Sequence, residues 1–103
     1  MANNALLDLN NPVFQQSLFA LQKPTQLDVI RSLKKISQMT WPMIQQDKGL
    51  RWEKISSIEP PAGISCVYSI RISQSTRAIV YREGDFMRFL AVFADHDAAY
   101  GQK

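Results

Sequence analysis

The C-terminal third of the sequence gathers the side chains with chemistry to offer: Arg71, Arg77 and Arg88, then Asp95-His96-Asp97 and Tyr100. An arginine guanidinium is permanently charged and presents paired N–H donors to the oxygens of a phosphate or carboxylate. His96 is the chain's only histidine. An imidazole with an ordinary pKa near 6.5 moves protons in either direction around neutrality. Asp95 and Asp97 stand beside it and can orient it or raise its pKa. The Tyr100 hydroxyl can donate a proton, and its ring can stack on a base. Anion binding and proton transfer are the chemistry available, provided that the fold brings these groups together. This chemistry needs no metal and no cofactor, and no small-molecule ligand is expected. The single cysteine, Cys66, forms neither a zinc spacing nor an internal disulfide, and reads as a small buried apolar residue ahead of a strand.

A sheet must position these residues. Val67–Ile72 alternates, with Val67, Ser69 and Arg71 on one face and Tyr68, Ile70 and Ile72 on the other. A Ser-Gln-Ser turn leads to a second strand, Arg77–Tyr81. Glu83-Gly84-Asp85 is the next turn, with Gly84 suited to a positive φ, and Phe86–Phe93 is the third strand. One face of this antiparallel sheet is apolar. The other presents Arg71, Arg77 and Arg88, with His96 and Tyr100 at the rim where the last strand runs out.

Helices must cover the apolar face. Ala5–Leu9 is an edge strand or an extended lead-in. Asn11 caps a helix whose first residue is Pro12, and Phe14, Leu18 and Leu21 carry helical spacing to about Gln22. Lys23-Pro24-Thr25 breaks it, and Thr25 caps a second helix on which Leu27, Ile30, Leu33 and Ile36 keep the spacing. Lys34 and Lys35 read as its solvated side. Pro42 ends that helix near Thr40 or makes it restart after Trp41. Asp47-Lys48-Gly49 is a turn, Leu50–Ile58 a strand or an irregular approach, and Glu59–Gly63, with two prolines, a loop. Phe14, Leu18, Leu21, Leu27, Ile30 and Leu33 are expected against Tyr68, Ile70, Ile79, Phe89 and Ala91 of the sheet or their strand neighbours. Trp41 and Trp52 read as core anchors. The order helix, helix, sheet predicts an α+β class, two N-terminal helices packed on a small antiparallel sheet. A chain of 103 residues suits a single domain over 1–103.

A net charge of +3 and a pI of about 9.2 permit a polyanionic partner without demanding one. No stretch approaches the roughly 20 apolar residues of a membrane span. No basic segment precedes an apolar run as in a signal peptide. A cytoplasmic setting without a membrane partner is expected.

Leu50–Lys54 (LRWEK), Tyr68–Ile72 (YSIRI), Arg77–Tyr81 (RAIVY) and the Asp95-His96-Asp97…Tyr100 segment together resemble the RelE/ParE toxin superfamily, the toxin halves of bacterial toxin–antitoxin pairs. The resemblance implies a RelE-like fold, two helices against a curved sheet, and a cognate antitoxin as partner. From the family's ribonuclease branch it implies ribosome-dependent endonucleolytic cutting of mRNA. Arg71 and Arg77 fall where these toxins carry basic residues on consecutive strands. Tyr100 matches the tyrosine near the chain end of the ribosome-dependent cutters, and His96 falls where another subset has a histidine after the last strand. Ser69 stands where several active members have a lysine. Such cleavage uses the neighbouring 2′-OH, a base for its proton, cations for the charge on the phosphorane, and an acid for the leaving 5′-oxygen. The resemblance thus implies Arg71, Arg77, His96 and Tyr100 as catalytic residues, with Ser69, Arg88 and Lys54 binding substrate.

The same residues admit other readings. A ParE-like toxin binds a target such as DNA gyrase without catalysis, and an inactive RelE-like chain only binds a partner. Apart from the family, alternating arginines on a strand make an exposed sheet face, and a histidine between two aspartates makes a solvated surface group.

Overall fold

Residues 3–94 are described by a computed structural model. The first strand, β1 (Leu6–Asp8), is an edge strand. Helix α1 (Pro12–Phe19) starts as its sequence dictates: the Asn11 side chain accepts from the Val13 N–H at 2.8 Å, and Pro12 occupies the first helical position. It stops at Phe19, short of Gln22, because Gln26 Nε2 donates to the carbonyls of Leu18 and Phe19 at 3.1 and 3.3 Å. The Leu18 carbonyl also accepts from the Leu21 N–H at 3.1 Å, and a side chain from the next helix completes the cap.

Helix α2 (Lys23–Ser37) begins two residues before the expected Thr25 cap. Pro24 lies in its first turn, where a missing N–H costs nothing. Val29, Leu33 and Ile36 face the core, whereas Leu27 and Ile30 are 48% and 52% exposed. The expected apolar stripe is therefore rotated on this helix. Helix α3 (Trp41–Gln46) is the restart that Pro42 foreshadows, capped by Thr40. Among the described residues no helix is long and apolar enough to cross a membrane.

The sheet is completed by β2 (Glu53–Ile55), β3 (Val67–Ser73), β4 (Thr76–Glu83) and β5 (Phe86–Ala94), in the order β1-β5-β4-β3-β2. All neighbours are antiparallel except β1, which runs parallel to β5. The class is α+β as expected, with a third, short helix. Gly84 takes φ 62° in the β4–β5 turn. The helices cover one face of the sheet. Phe14 meets Phe89 with ring centroids 5.3 Å apart, and Ile70, Ala78, Val80, Met87 and Val92 complete that core. Trp52 stacks on Tyr68 at 4.3 Å and meets the buried Trp41 edge-on at 5.4 Å, so both tryptophans serve as anchors. Cys66 is only half-buried, and its thiol donates to the Tyr68 hydroxyl at 3.1 Å. That bond, with burial, pushes the Tyr68 hydroxyl above the ordinary tyrosine range.

Ile79 and Ala91 do not face the helices. On β4 the inward residues are Ala78 and Val80. Ile79 pairs with Ser69 on one side and Ala91 on the other, on the outer face. On β5 the pairing runs Val80↔Phe89 and then Ile79↔Ala91, skipping Leu90. This bulge shifts the alternation by one residue, so Val92 points inward and Phe93 outward.

Candidate functional site

The outer face can be read in rows across the strands, because directly opposed residues of antiparallel strands point the same way. The first row is Arg71 on β3, Arg77 on β4 and Phe93 on β5, each paired with the next. Both arginines are half-buried and Phe93 is 39% exposed. The backbone N–H of Arg71 donates to the Leu50 carbonyl at 2.6 Å, which pins the strand at this position. Leu50 is itself held by Asp47, whose Oδ1 accepts from the Leu50 N–H at 2.9 Å while Oδ2 lies 3.3 Å from Lys35 Nζ. These contacts hold the Asp47 carboxyl below its ordinary range, the Leu50 N–H contributing most. Arg71 and Arg77 are opposed through their Cα positions, and guanidiniums on neighbouring strands can donate charge-assisted hydrogen bonds to one anion.

The second row is Glu53, Ser69, Ile79 and Ala91. Ser69 is thus beside Arg71 on the arginine face and half-buried. Lys54 pairs with Tyr68 and belongs to the opposite, helix-covered side, so it does not join this surface.

A third row holds Tyr81, Arg88 and Asp8. Here the arginine is committed to structure. Arg88 Nη1 donates to Asp8 Oδ2 and Nε donates to Glu83 Oε1 at 2.7 Å, with the guanidinium 4.8 Å from the Phe86 ring. The two carboxylates raise the Arg88 pKa further. The Asp8 carboxyl is lowered, first by the Asn10 N–H and then by Arg88. Arg88 shares the face with Arg71 and Arg77 but serves to fasten the edge strand.

His96 and Tyr100, with Asp95 and Asp97, lie outside the described residues. Phe93 is the member of the first row that sequence reading missed. Counting in twos from Phe89 sends it to the core, and only the bulge at Leu90 turns it outward. Among the described residues no three His, Cys, Asp or Glu side chains cluster as a metal site would.

No protein-family model matches this sequence, and no curated protein matches it. A solved structure does: the archaeal RelE-RelB complex from Pyrococcus horikoshii OT3 contains a chain similar to this one with a TM-score of 0.59. The match covers 92% of this chain and 97% of that chain at 12% sequence identity, a likeness of fold. Helices on one side of a mostly antiparallel five-stranded sheet give this chain a RelE-like fold.

Proposed function

We propose that this chain is the toxin of a toxin–antitoxin pair and a ribosome-dependent endoribonuclease that cuts mRNA without a metal. The observation that carries the reading is the Arg71–Arg77 pair, directly opposed on the outer face of a RelE-like sheet. The scissile phosphate sits between the two guanidiniums, which donate to its non-bridging oxygens and stabilise the charge that grows there. His96 takes the 2′-OH proton, and the 2′-oxygen attacks phosphorus. The 5′-oxygen leaves with a proton from Tyr100, and the products are a 2′,3′-cyclic phosphate and a free 5′-hydroxyl. Asp95 or Asp97 orients the imidazole. Ser69, adjacent to Arg71, contributes a hydroxyl to the same phosphate.

The partner that restrains such a toxin is an antitoxin, as RelB accompanies RelE in the similar complex. Its docking surface is the apolar groove of Leu18, Phe19, Leu27 and Ile30, between α1 and α2, where Phe19 is 72% exposed. Lys23, Arg31, Lys34 and Lys35 against a single acid, Asp28, give α2 a basic surface, which suits an amphipathic segment with acidic residues.

Induced expression with primer-extension mapping of transcripts tests the reading. Cuts within translated messages that vanish in His96→Ala support it. Growth arrest without cuts, equal in wild type and His96→Ala, would transfer the chain to the gyrase-type, non-catalytic toxins.

A further inference from the structure

We infer that Phe93 is a base-stacking subsite, the surface that receives one unstacked nucleobase of the RNA whose phosphate lies between Arg71 and Arg77. The inference rests on the endoribonuclease reading and deepens it by assigning the group that grips a base. Phe93 is 39% exposed, whereas its neighbours in sequence, Val92 and Ala94, are each 2% exposed. Near it on this face Ile79 is 6% exposed and Val67 0%, and another open ring, Phe86, lies at the far end of β5 under the Arg88 guanidinium. Phe93 is thus the open ring at the Arg71–Arg77 end of the face.

Its position has a specific cause. The bulge at Leu90 turns Phe93 away from the core that holds Phe89 and sets it opposite Arg77. With strands about 4.8 Å apart, the ring is one strand from Arg77 and two strands, about 10 Å, from Arg71. Phosphate donors and a π-face thus lie in one row, the combination with which proteins hold single-stranded nucleic acid. Guanidiniums take the backbone and carry no base information. The ring takes a base, and a purine, with its larger face, gains more from stacking than a pyrimidine. Phe93 therefore binds the nucleotide next to the scissile phosphate and biases the cut toward a purine at that position.

The test uses the full chain on ribosomes programmed with messages that differ only at the nucleotide beside the cut, with 2-aminopurine as the reporter at that place. Phe93→Ala, Phe93→Leu and Phe93→Trp are compared with wild type and with Arg77→Ala, thermal unfolding confirming that each is folded. Phe93→Ala is expected to lower kcat/KM on the order of 10- to 100-fold, chiefly through KM. It should also erase the purine preference and the quenching of 2-aminopurine. Phe93→Trp restores all three, and Phe93→Leu, apolar but without a π-face, restores none. Leucine performing like phenylalanine, or alanine leaving rate and quenching intact while Arg77→Ala abolishes cutting, would overturn the stacking subsite alone. Absence of cutting by the wild type would overturn the ribonuclease reading and the subsite with it.

Discussion

At one end of the outer sheet face Arg88 is gripped by Asp8 and Glu83; at the other, Arg71 and Arg77 face each other across β3 and β4. The residue type, the strand setting and the face are the same. What differs is the neighbourhood the sheet supplies. Asp8 lies on the parallel edge strand, 80 positions from Arg88 in sequence, and its carboxylate converts a cation into a fastener. The first row instead sets Arg71 and Arg77 opposite one another on neighbouring strands, with Phe93 next in the row. An arginine on a strand becomes a bolt when a carboxylate arrives from elsewhere in the chain, as Asp8 does at Arg88.

The largest expected effect sharpens the functional end of this contrast. His96→Ala should cut the single-turnover cleavage rate on programmed ribosomes by roughly 10²–10⁴-fold, the usual span of general acid–base catalysis. Ribosome binding by sedimentation should survive, since a neutral imidazole adds little to phosphate affinity. An unchanged rate would remove His96 from the chemistry and leave Tyr100 and the two arginines to carry it.

Arg77→Ala follows, with a loss on the order of 10²-fold as a charged donor to the transition state disappears. Arg77→Lys should recover part of it only, because an ammonium lacks the planar fork. Full recovery by lysine would reduce the role of Arg77 to simple charge.

Arg88→Ala should do the reverse. Cleavage should stay within a few-fold of wild type, while Tm falls by a few degrees, at most roughly 4–8 °C, since partly exposed ion pairs contribute up to about 1 kcal/mol in a domain of this size. A cleavage defect as deep as that of Arg77→Ala, at unchanged Tm, would erase the distinction between the two ends.

Acid tests the same fastening. The carboxyls of Asp8 and Asp47 are both held below their ordinary values in the folded chain. Each therefore favours folding while ionised: its contribution is complete above the unfolded value of about 4 and is lost as pH falls through the lower, folded value. Chemical denaturation between about pH 5 and pH 2 should show this decline, and Asp8→Asn should flatten part of it. A decline of the same size in the variant would assign the acid sensitivity elsewhere.

The smallest effect is one of slope. Arg71→Ala should reduce the salt dependence of single-stranded RNA binding by about 0.7 in log K against log salt, the change that accompanies one fewer neutralised phosphate. The same measurement on Arg88→Ala should show no change in slope.

Much of this arrangement is legible in the chain itself. Local signals suffice for the Asn11–Pro12 helix start, the restart at Trp41, the Gly84 turn, and the division of Val67, Ser69 and Arg71 from Tyr68, Ile70 and Ile72. Caps, proline positions and period-two alternation act over a few residues, and nothing distant needs to be known. The short motifs also pointed to a RelE-like fold, which the likeness to the archaeal complex supports.

The tertiary structure decided the rest, where the outcome depends on pairing. The stripe of α2 turned to bury Val29 beside the expected Leu33 and Ile36 and to leave Leu27 and Ile30 outside, because the sheet beneath it selects which face packs. Arg88 became structural because Asp8 arrives on a strand from the other end of the chain. Phe93 came to stand beside Arg77 because one extra residue, Leu90, is bulged against β4. A single-residue shift reverses every later side chain on a strand, and no local pattern records where the partner strand will take up the slack.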